Sequence, residues 1–227
     1  MTQKWHDLLF MHWPIDPGRI SNLIPTGLEL DTYDGCAWVG IVPFHMTGVR
    51  MRWTPPIPGA SAFPELNVRT YVTAQDRPGV WFFSLDAANP LAVAAARRWF
   101  HLPYFRAQFS VAKASDGTID YRCRRTHRGA PSADLRLQYK AVEDVFHAQP
   151  GTIEYFVTER YCLYAHHNRR IFRCEINHQP WPLQPADAQI KLNTMAAANA
   201  IALPNAPPLL HFARFQDVRV WPLSEVG

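Results

Sequence analysis

Four side chains that could do chemistry alternate along one short stretch of the chain: Glu65, Asn67, Arg69 and Tyr71. Residues two apart lie on the same face of a β-strand, so this pattern predicts a strand with one polar and one apolar face. On such a face a buried carboxyl group could move a proton, and an arginine could hold a carboxylate through two hydrogen bonds. The polar face either meets water or lines a polar cavity, and the surrounding sequence favours the cavity.

The stretch that begins at Tyr104 shows the same division into polar and apolar faces. Tyr104 and Arg106 share one face with two further polar residues, which predicts either one polar interior or one sheet face wetted by solvent. We therefore predict Glu65 as the candidate catalytic residue. The candidate ligand-binding residues are Arg69, Arg97, Tyr104, Asn67, Tyr71 and Arg106.

These residues also have a purely structural interpretation. Glu65 could form a salt bridge with Arg69 or Arg97, and the two arginines could pair instead with Asp86 or Glu159. Structural ion-pair networks perturb buried carboxyl groups as functional sites do, so both interpretations of Glu65 stay open.

Several elements must position these side chains. Apolar stretches separated by turn residues predict roughly nine to eleven strands and two to four short helices, without the alternation of strands and helices that marks a parallel sheet. Alanine-rich stretches predict helices over Leu91–Trp99 and Met195–Ala202, and the prolines of Pro55–Gly59 predict a loop. The pattern favours a mostly β fold, an antiparallel barrel or sandwich with short helices at its edges. No linker-like stretch divides the chain, so residues 1–227 are predicted to form a single domain.

Composition narrows the range of functions. Of the 227 residues, 48% are hydrophobic, enough for a large core, and the formal net charge is only +4 with the arginines scattered. Nucleic-acid binders usually show a dense basic stripe, so we expect no nucleic-acid partner. No apolar run reaches ~18 residues and no secretory signal is evident, which predicts a cytoplasmic protein without a membrane partner.

The sequence also lacks the usual motifs of metal-binding and cofactor-binding sites. The four cysteines, Cys36, Cys123, Cys162 and Cys174, form no CxxC pair, and the histidines show no zinc-ligand spacing. We expect buried free thiols and no metal site. Gly-rich phosphate loops, GxSxG and HExxH motifs are missing, and no cofactor is expected.

A series of short motifs, taken in order, resembles the DUF2071 family of YqjF-like bacterial proteins from Trp5 to about Trp221. The motifs that carry the resemblance are His12–Pro14, Pro43–Phe44, Glu65–Val72, Gly79–Asp86, Ala96–Arg97, Leu102–Tyr104, Glu159–Tyr161, His178–Leu183 and His211. The resemblance implies membership of this family but no activity, because the family supplies none to carry over.

A weaker resemblance is to acetoacetate decarboxylase, and it implies an antiparallel β-barrel or cone with an internal pocket. In that enzyme a helix carrying Gly-Arg-Glu leads into a strand that opens Pro-Lys-Lys, and one lysine forms a Schiff base. The matching stretches here are Ala96–Arg98 and Pro103–Phe105, so both lysines are replaced, by Tyr104 and Phe105. Glu65 matches a glutamate of the enzyme's pocket. Because a Schiff base needs a primary amine, the resemblance keeps the pocket and removes the nucleophile.

Three functions stay open, and only two of them involve a ligand. The first is a binding protein for a small carboxylate or enol, held by Arg69 or Arg97 with Tyr104 and Glu65. The second is an enzyme without a catalytic lysine that uses Glu65 on a keto acid, either to move a proton α to the carbonyl, with the arginine and tyrosine stabilising the enolate, or to decarboxylate it. The third is a structural or interaction protein whose polar interior is a closed ion-pair network. Exposed strand edges would allow homo-oligomers in each case.

Overall fold

The computed structural model describes residues 1–50 and 61–226, so the predicted loop Pro55–Gly59 lies outside the described residues. The strands of the described part are β1 (Thr2–Ile15), β2 (Glu29–Leu30), β3 (Ala37–Arg50), β4 (Phe63–Ala74), β5 (Arg77–Ala87), β6 (Tyr104–Lys113), β7 (Ile119–Arg125), β8 (Asp134–Ala141), β9 (Cys162–His167), β10 (Arg170–Asn177), β11 (Leu183–Asn193) and β12 (Leu209–Glu225). Its α-helices are α1 (Pro90–Trp99) and α2 (Ile153–Thr158). Short 3-10 turns occupy Pro17–Arg19, Ser21–Leu23 and Ala197–Asn199.

The strands close into two rings that share β12, β1, β3, β4 and β5. The larger ring is completed by β6, β7, β8 and β11, and the smaller ring by β9 and β10. Most neighbours are antiparallel, but β5 runs parallel to both β6 and β9. The rings therefore separate at β5 and at β12, and the predicted mostly antiparallel barrel with short edge helices is confirmed.

The larger ring is filled with apolar side chains. Leu66 and Val68 of β4 are fully buried there against Met11 of β1, Tyr121 of β7 and Leu135 of β8. Because alternate residues of a strand face opposite sides, the intervening residues of β4 face the smaller ring. Strand β4 thus forms a wall between the two interiors.

Helix α1 agrees with the prediction for Leu91–Trp99. Pro90 suits the first helical position because its φ is fixed and its N–H is missing. The Asn89 side chain accepts hydrogen bonds from the backbone N–H groups of Leu91, at 2.9 Å, and Ala92, at 3.2 Å, which caps the helix start. In the described residues, neither α-helix combines the length and apolar character needed to cross a membrane.

The predicted helix over Met195–Ala202 is wrong. Only the 3-10 turn Ala197–Asn199 forms there, while Met195, Ala196 and Ile201 are buried in the larger ring. Ala200 has a φ of 59°, in the left-handed region, and this ends the turn. Packing of these side chains has overridden the helix propensity of alanine. Strand β11, which sequence reasoning missed, is also alanine-containing.

Candidate functional site

The smaller ring encloses a cavity of about 200 Å³. Each of its seven strands contributes to the wall, together with Ala92, Ala95 and Ala96 of α1. Most of the wall is apolar. The polar and ionisable side chains on it are Gln3, Glu65, Asn67, Arg69, Tyr104, Thr158, Arg160 and His178. A cavity of about 150 Å³ can hold a benzene-sized molecule, so this one accommodates a small organic ligand.

Glu65 is a buried carboxyl group with a phenol as its hydrogen-bond partner. Its side chain is on the cavity wall and the residue is 3% exposed. The Tyr104 hydroxyl donates to Glu65 Oε2 at 2.9 Å. Burial raises the pKa of Glu65 from 4.5 to about 8, the Tyr104 hydrogen bond opposes this shift, and the nearby charge of Asp86 adds to it. Glu65 is therefore mostly protonated at neutral pH and can donate a hydrogen bond.

Arg69 is a buried cation without an acidic partner. The residue is 8% exposed, and its Nη2 donates to the backbone oxygen of Val157 at 3.0 Å. Its guanidinium carbon lies 5.4 Å from the ring centre of Phe10 and 5.6 Å from that of Tyr71. Throughout residues 1–50 and 61–226, no carboxylate forms an ion pair with Arg69. Its Nε is buried and has no hydrogen-bond partner among the residues that the structure describes.

The acids that sequence reasoning offered to Arg69 and Arg97 have other partners. Asp86 binds the Arg125 guanidinium through two hydrogen bonds, both of 2.7 Å, inside the larger ring. Burial raises the pKa of Asp86, although Arg125 opposes that shift. Glu159 accepts hydrogen bonds from the Tyr161 hydroxyl and from the backbone N–H of Trp181. Arg69 therefore lies on the cavity wall with no acidic partner among the described residues.

Asn67 lies between Glu65 and Arg69 on the wall and is 5% exposed. Its Oδ1 is buried without a hydrogen-bond partner in the described part of the chain. Tyr71, the next inward residue of β4, is fully buried and does not line the cavity. The Tyr71 hydroxyl donates to Val157 O at 2.7 Å and lies 2.6 Å from His12 Nε2. Tyr71 therefore supports Arg69 from behind rather than facing a ligand.

Arg97 and Arg106 lie outside the cavity, which departs from the predicted arrangement. Arg97 is exposed on α1, and its Nη1 donates to the backbone oxygen of Tyr104 at 2.8 Å. Arg106 is exposed on β6, where its backbone N–H donates to His127 Nδ1 at 3.1 Å. From Arg106 onward the polar face of β6 is the wetted one, whereas Tyr104 at the strand start reaches the cavity.

Sequence reasoning missed Arg160, a second arginine on the cavity wall. Its Nη1 donates to Asp31 Oδ2 at 2.6 Å and its Nε to Phe156 O at 2.7 Å. Thr158 and His178 also line the cavity and were not predicted. Thr158 ends α2 and Arg160 lies in the short link to β9, where no regular period could have oriented its side chain.

No lysine lines the cavity in the part of the chain that the structure describes, and Lys113 instead binds Asp7 at 2.9 Å. Tyr104 occupies the place where the decarboxylase resemblance expects a lysine. Within the described ranges no group of three or more His, Cys, Asp or Glu side chains is placed to hold a metal ion. The groups that β4 and Tyr104 present at this wall are a neutral acid, an amide, a guanidinium and a phenol.

Comparison with known proteins agrees with the predicted resemblance. A model of the DUF2071 family, described as an uncharacterized conserved protein, matches residues 2–217. The chain is 47% identical over 225 residues to the uncharacterized protein YqjF of Bacillus subtilis (strain 168), covering 99% of this chain and 92% of that protein.

Solved structures share the fold at low identity. The enduracididine biosynthesis enzyme MppR, complexed with pyruvate, has a TM-score of 0.69 and 10% identity, covering 100% of this chain and 90% of that chain. An acetoacetate decarboxylase-like enzyme from Sphingomonas wittichii RW1 has a TM-score of 0.66 and 14% identity, covering 99% and 92%. Identities this low establish a common architecture rather than a common activity.

Proposed function

The chain belongs to the DUF2071 family, and from this premise we propose that its cavity binds a small carboxylate or enol without Schiff-base chemistry. The buried, unpaired guanidinium of Arg69 carries the proposal. A buried cation without an acidic partner pays a desolvation cost, and an anionic ligand would offset that cost. Arg69 would hold the ligand's carboxylate through its guanidinium group.

The neutral form of Glu65 supports the same ligand. A charged Glu65 would repel a carboxylate, whereas the protonated acid can donate a hydrogen bond to a ligand oxygen. Asn67, between the two, can bond to a second oxygen. The Tyr104 hydroxyl holds the Glu65 carboxyl in place. A structural neighbour of this fold was solved with pyruvate, a small keto acid, which further supports a ligand of this class.

Thermal unfolding with added ligands tests this function. The panel contains small keto acids, β-diketones and aromatic acids, applied to the wild type, Arg69→Met and Arg98→Met. Arg98 is an exposed arginine of α1 that does not line the cavity, so Arg98→Met is the matched control. A ligand that binds only the folded state raises the melting temperature by mass action. We expect such a rise in the wild type and Arg98→Met and its loss in Arg69→Met.

One combined result of this test would contradict the binding function. If no ligand shifts the wild type and Arg69→Met is severely destabilised, then the arginine is structural and the binding function is wrong.

A second candidate function, proton transfer, is favoured by the pKa of about 8 at Glu65, close to neutral pH. In this enzyme, the ionised fraction of Glu65 would remove a proton from the carbon next to a bound keto group while Arg69 stabilises the enolate. Nuclear magnetic resonance in D₂O measures hydrogen exchange at that carbon. Exchange that is fast in the wild type and lost in Glu65→Gln supports the enzyme. Exchange that survives in Glu65→Gln rules out Glu65 as the base, and ligand binding without exchange leaves a binding protein.

A further inference from the structure

The cavity's charge and wall allow the ligand class to be named more closely, on the condition that the proposed binding function holds. We infer that the ligand is a monocarboxylate with a bulky apolar body, such as an aryl or branched-alkyl keto acid. Neither the smallest keto acid, pyruvate, nor a dicarboxylate would fill the cavity as well.

The charges on the wall limit the ligand to one negative charge. Among residues 1–50 and 61–226, two arginines line the cavity, and Arg160 is already neutralised by Asp31 at 2.6 Å. Glu65 is neutral, because burial raises its pKa to about 8. Arg69 is therefore the arginine of the described wall whose charge no acid balances, and the Met1 ammonium group donates instead to the backbone oxygen of Val220 at 2.7 Å. A second carboxylate would have to lie against apolar side chains without a partner, which is strongly unfavourable.

The rest of the wall is built for an apolar body. Large side chains from five of the ring's strands face the cavity, among them Trp5, Phe44, Phe63, Phe82 and Leu163. Aromatic and aliphatic walls of this kind gain free energy in proportion to the apolar area that a ligand buries. Pyruvate offers one methyl group to them and would leave most of the 200 Å³ unfilled.

Helix α1 sets the width of the cavity on one side. Its inward residues Ala92, Ala95 and Ala96 are alanines, so the helix contributes little volume of its own. Each methyl group marks a position where a longer side chain would reduce the space for the ligand's body. Alanine and leucine both favour helix, so a change of this kind leaves α1 intact.

The test compares dissociation constants for phenylpyruvate, 4-methyl-2-oxopentanoate, pyruvate and 2-oxoglutarate by calorimetry. In the wild type, phenylpyruvate or 4-methyl-2-oxopentanoate should bind at least tenfold more tightly than pyruvate and 2-oxoglutarate. Ala95→Leu should weaken the bulky ligands at least tenfold and leave pyruvate unchanged. Ala94→Leu, an exposed residue of the same helix that does not line the cavity, is the matched control and should change none of them.

Failure of this inference can be told apart from failure of the proposed function. If pyruvate or 2-oxoglutarate binds as tightly as the bulky acids, and binding is lost in Arg69→Met, the ligand class is wrong while the anion site stands. If Ala95→Leu affects pyruvate as much as phenylpyruvate, the apolar body does not lie under α1 and the inference is also overturned. If none of the four acids binds the wild type, both fall.

Discussion

The two rings of this protein share five strands yet treat buried charge in opposite ways. In the larger ring, Asp86 and Arg125 meet through two hydrogen bonds of 2.7 Å, and their side chains are 0% and 1% exposed. In the smaller ring, Glu65 and Arg69 lie on the same strand but do not pair: Glu65 accepts from the Tyr104 hydroxyl and Arg69 donates to the backbone oxygen of Val157. The buried acid and arginine of the filled interior thus neutralise each other, whereas Arg69 on the wall of the hollow one has no acidic partner among the described residues.

The largest expected effect contrasts the two buried arginines. Arg125→Met would leave Asp86 buried without a partner, and breaking such a pair costs about 3–5 kcal/mol of unfolding free energy. Arg69→Met removes a cation that has no acidic partner, so we expect a change below about 1 kcal/mol. Urea unfolding of the three proteins measures both values. Equal losses in the two variants would mean that Arg69 is as structural as Arg125.

The next effect is the dependence of the unfolding free energy on pH that the buried carboxyl group of Glu65 causes. Between pH 4.5 and about 8, native Glu65 holds a proton that the unfolded chain has released. The unfolding free energy therefore falls as pH rises through this range, by up to about 1.4 kcal/mol per pH unit. Glu65→Gln cannot titrate, so its stability relative to the wild type should increase steadily over the same range. Unfolding curves at several pH values measure this difference, and a constant difference would contradict the raised pKa.

The smallest expected effect concerns the Tyr104 hydroxyl, which donates a hydrogen bond to Glu65. Tyr104→Phe removes one buried hydrogen bond, at a cost of about 1 kcal/mol. Because that bond lowers the pKa of Glu65, its loss should raise this pKa further and move the pH dependence upward. Tyr139→Phe is the matched control, since Tyr139 in the larger ring donates instead to Asp7 O at 2.7 Å. Titration of Glu65 by carboxyl-carbon resonance should shift in Tyr104→Phe and not in Tyr139→Phe.

Local periodicity predicted much of the site, because β4 follows the period of two closely. That pattern placed Glu65, Asn67 and Arg69 on one face and was enough to expect a polar interior. The same reasoning applied to β7 would have found Arg125, since Ile119, Tyr121 and Cys123 at alternate positions are apolar and Arg125 continues their face.

Other features depend on contacts that no local pattern encodes. The parallel pairing of β5 with β9 joins segments far apart in sequence, so the division into two rings could not be read from alternation. Strand β11 alternates Ala186, Ala188 and Ile190 with polar residues, but alanine is a poor marker of strands. Arg106 was expected in the cavity because parity alone does not say which face of a sheet meets water, and Arg97 because a sequence resemblance does not say which side of a helix meets the cavity.

Both rings include the pair of strands β1 and β12, and this pairing affects how the chain folds. Strand β1 pairs with β12 from Thr2 opposite Arg219 to His12 opposite Leu209, and the Met1 ammonium group donates to Val220 O at 2.7 Å. Because β1 and β12 lie so far apart in sequence, bringing them together costs loop-closure entropy before any contact forms, and this slows folding. During synthesis neither ring can close until β12 has emerged. A ligand of the cavity could thus stabilise the finished fold but could not assist the steps that precede it.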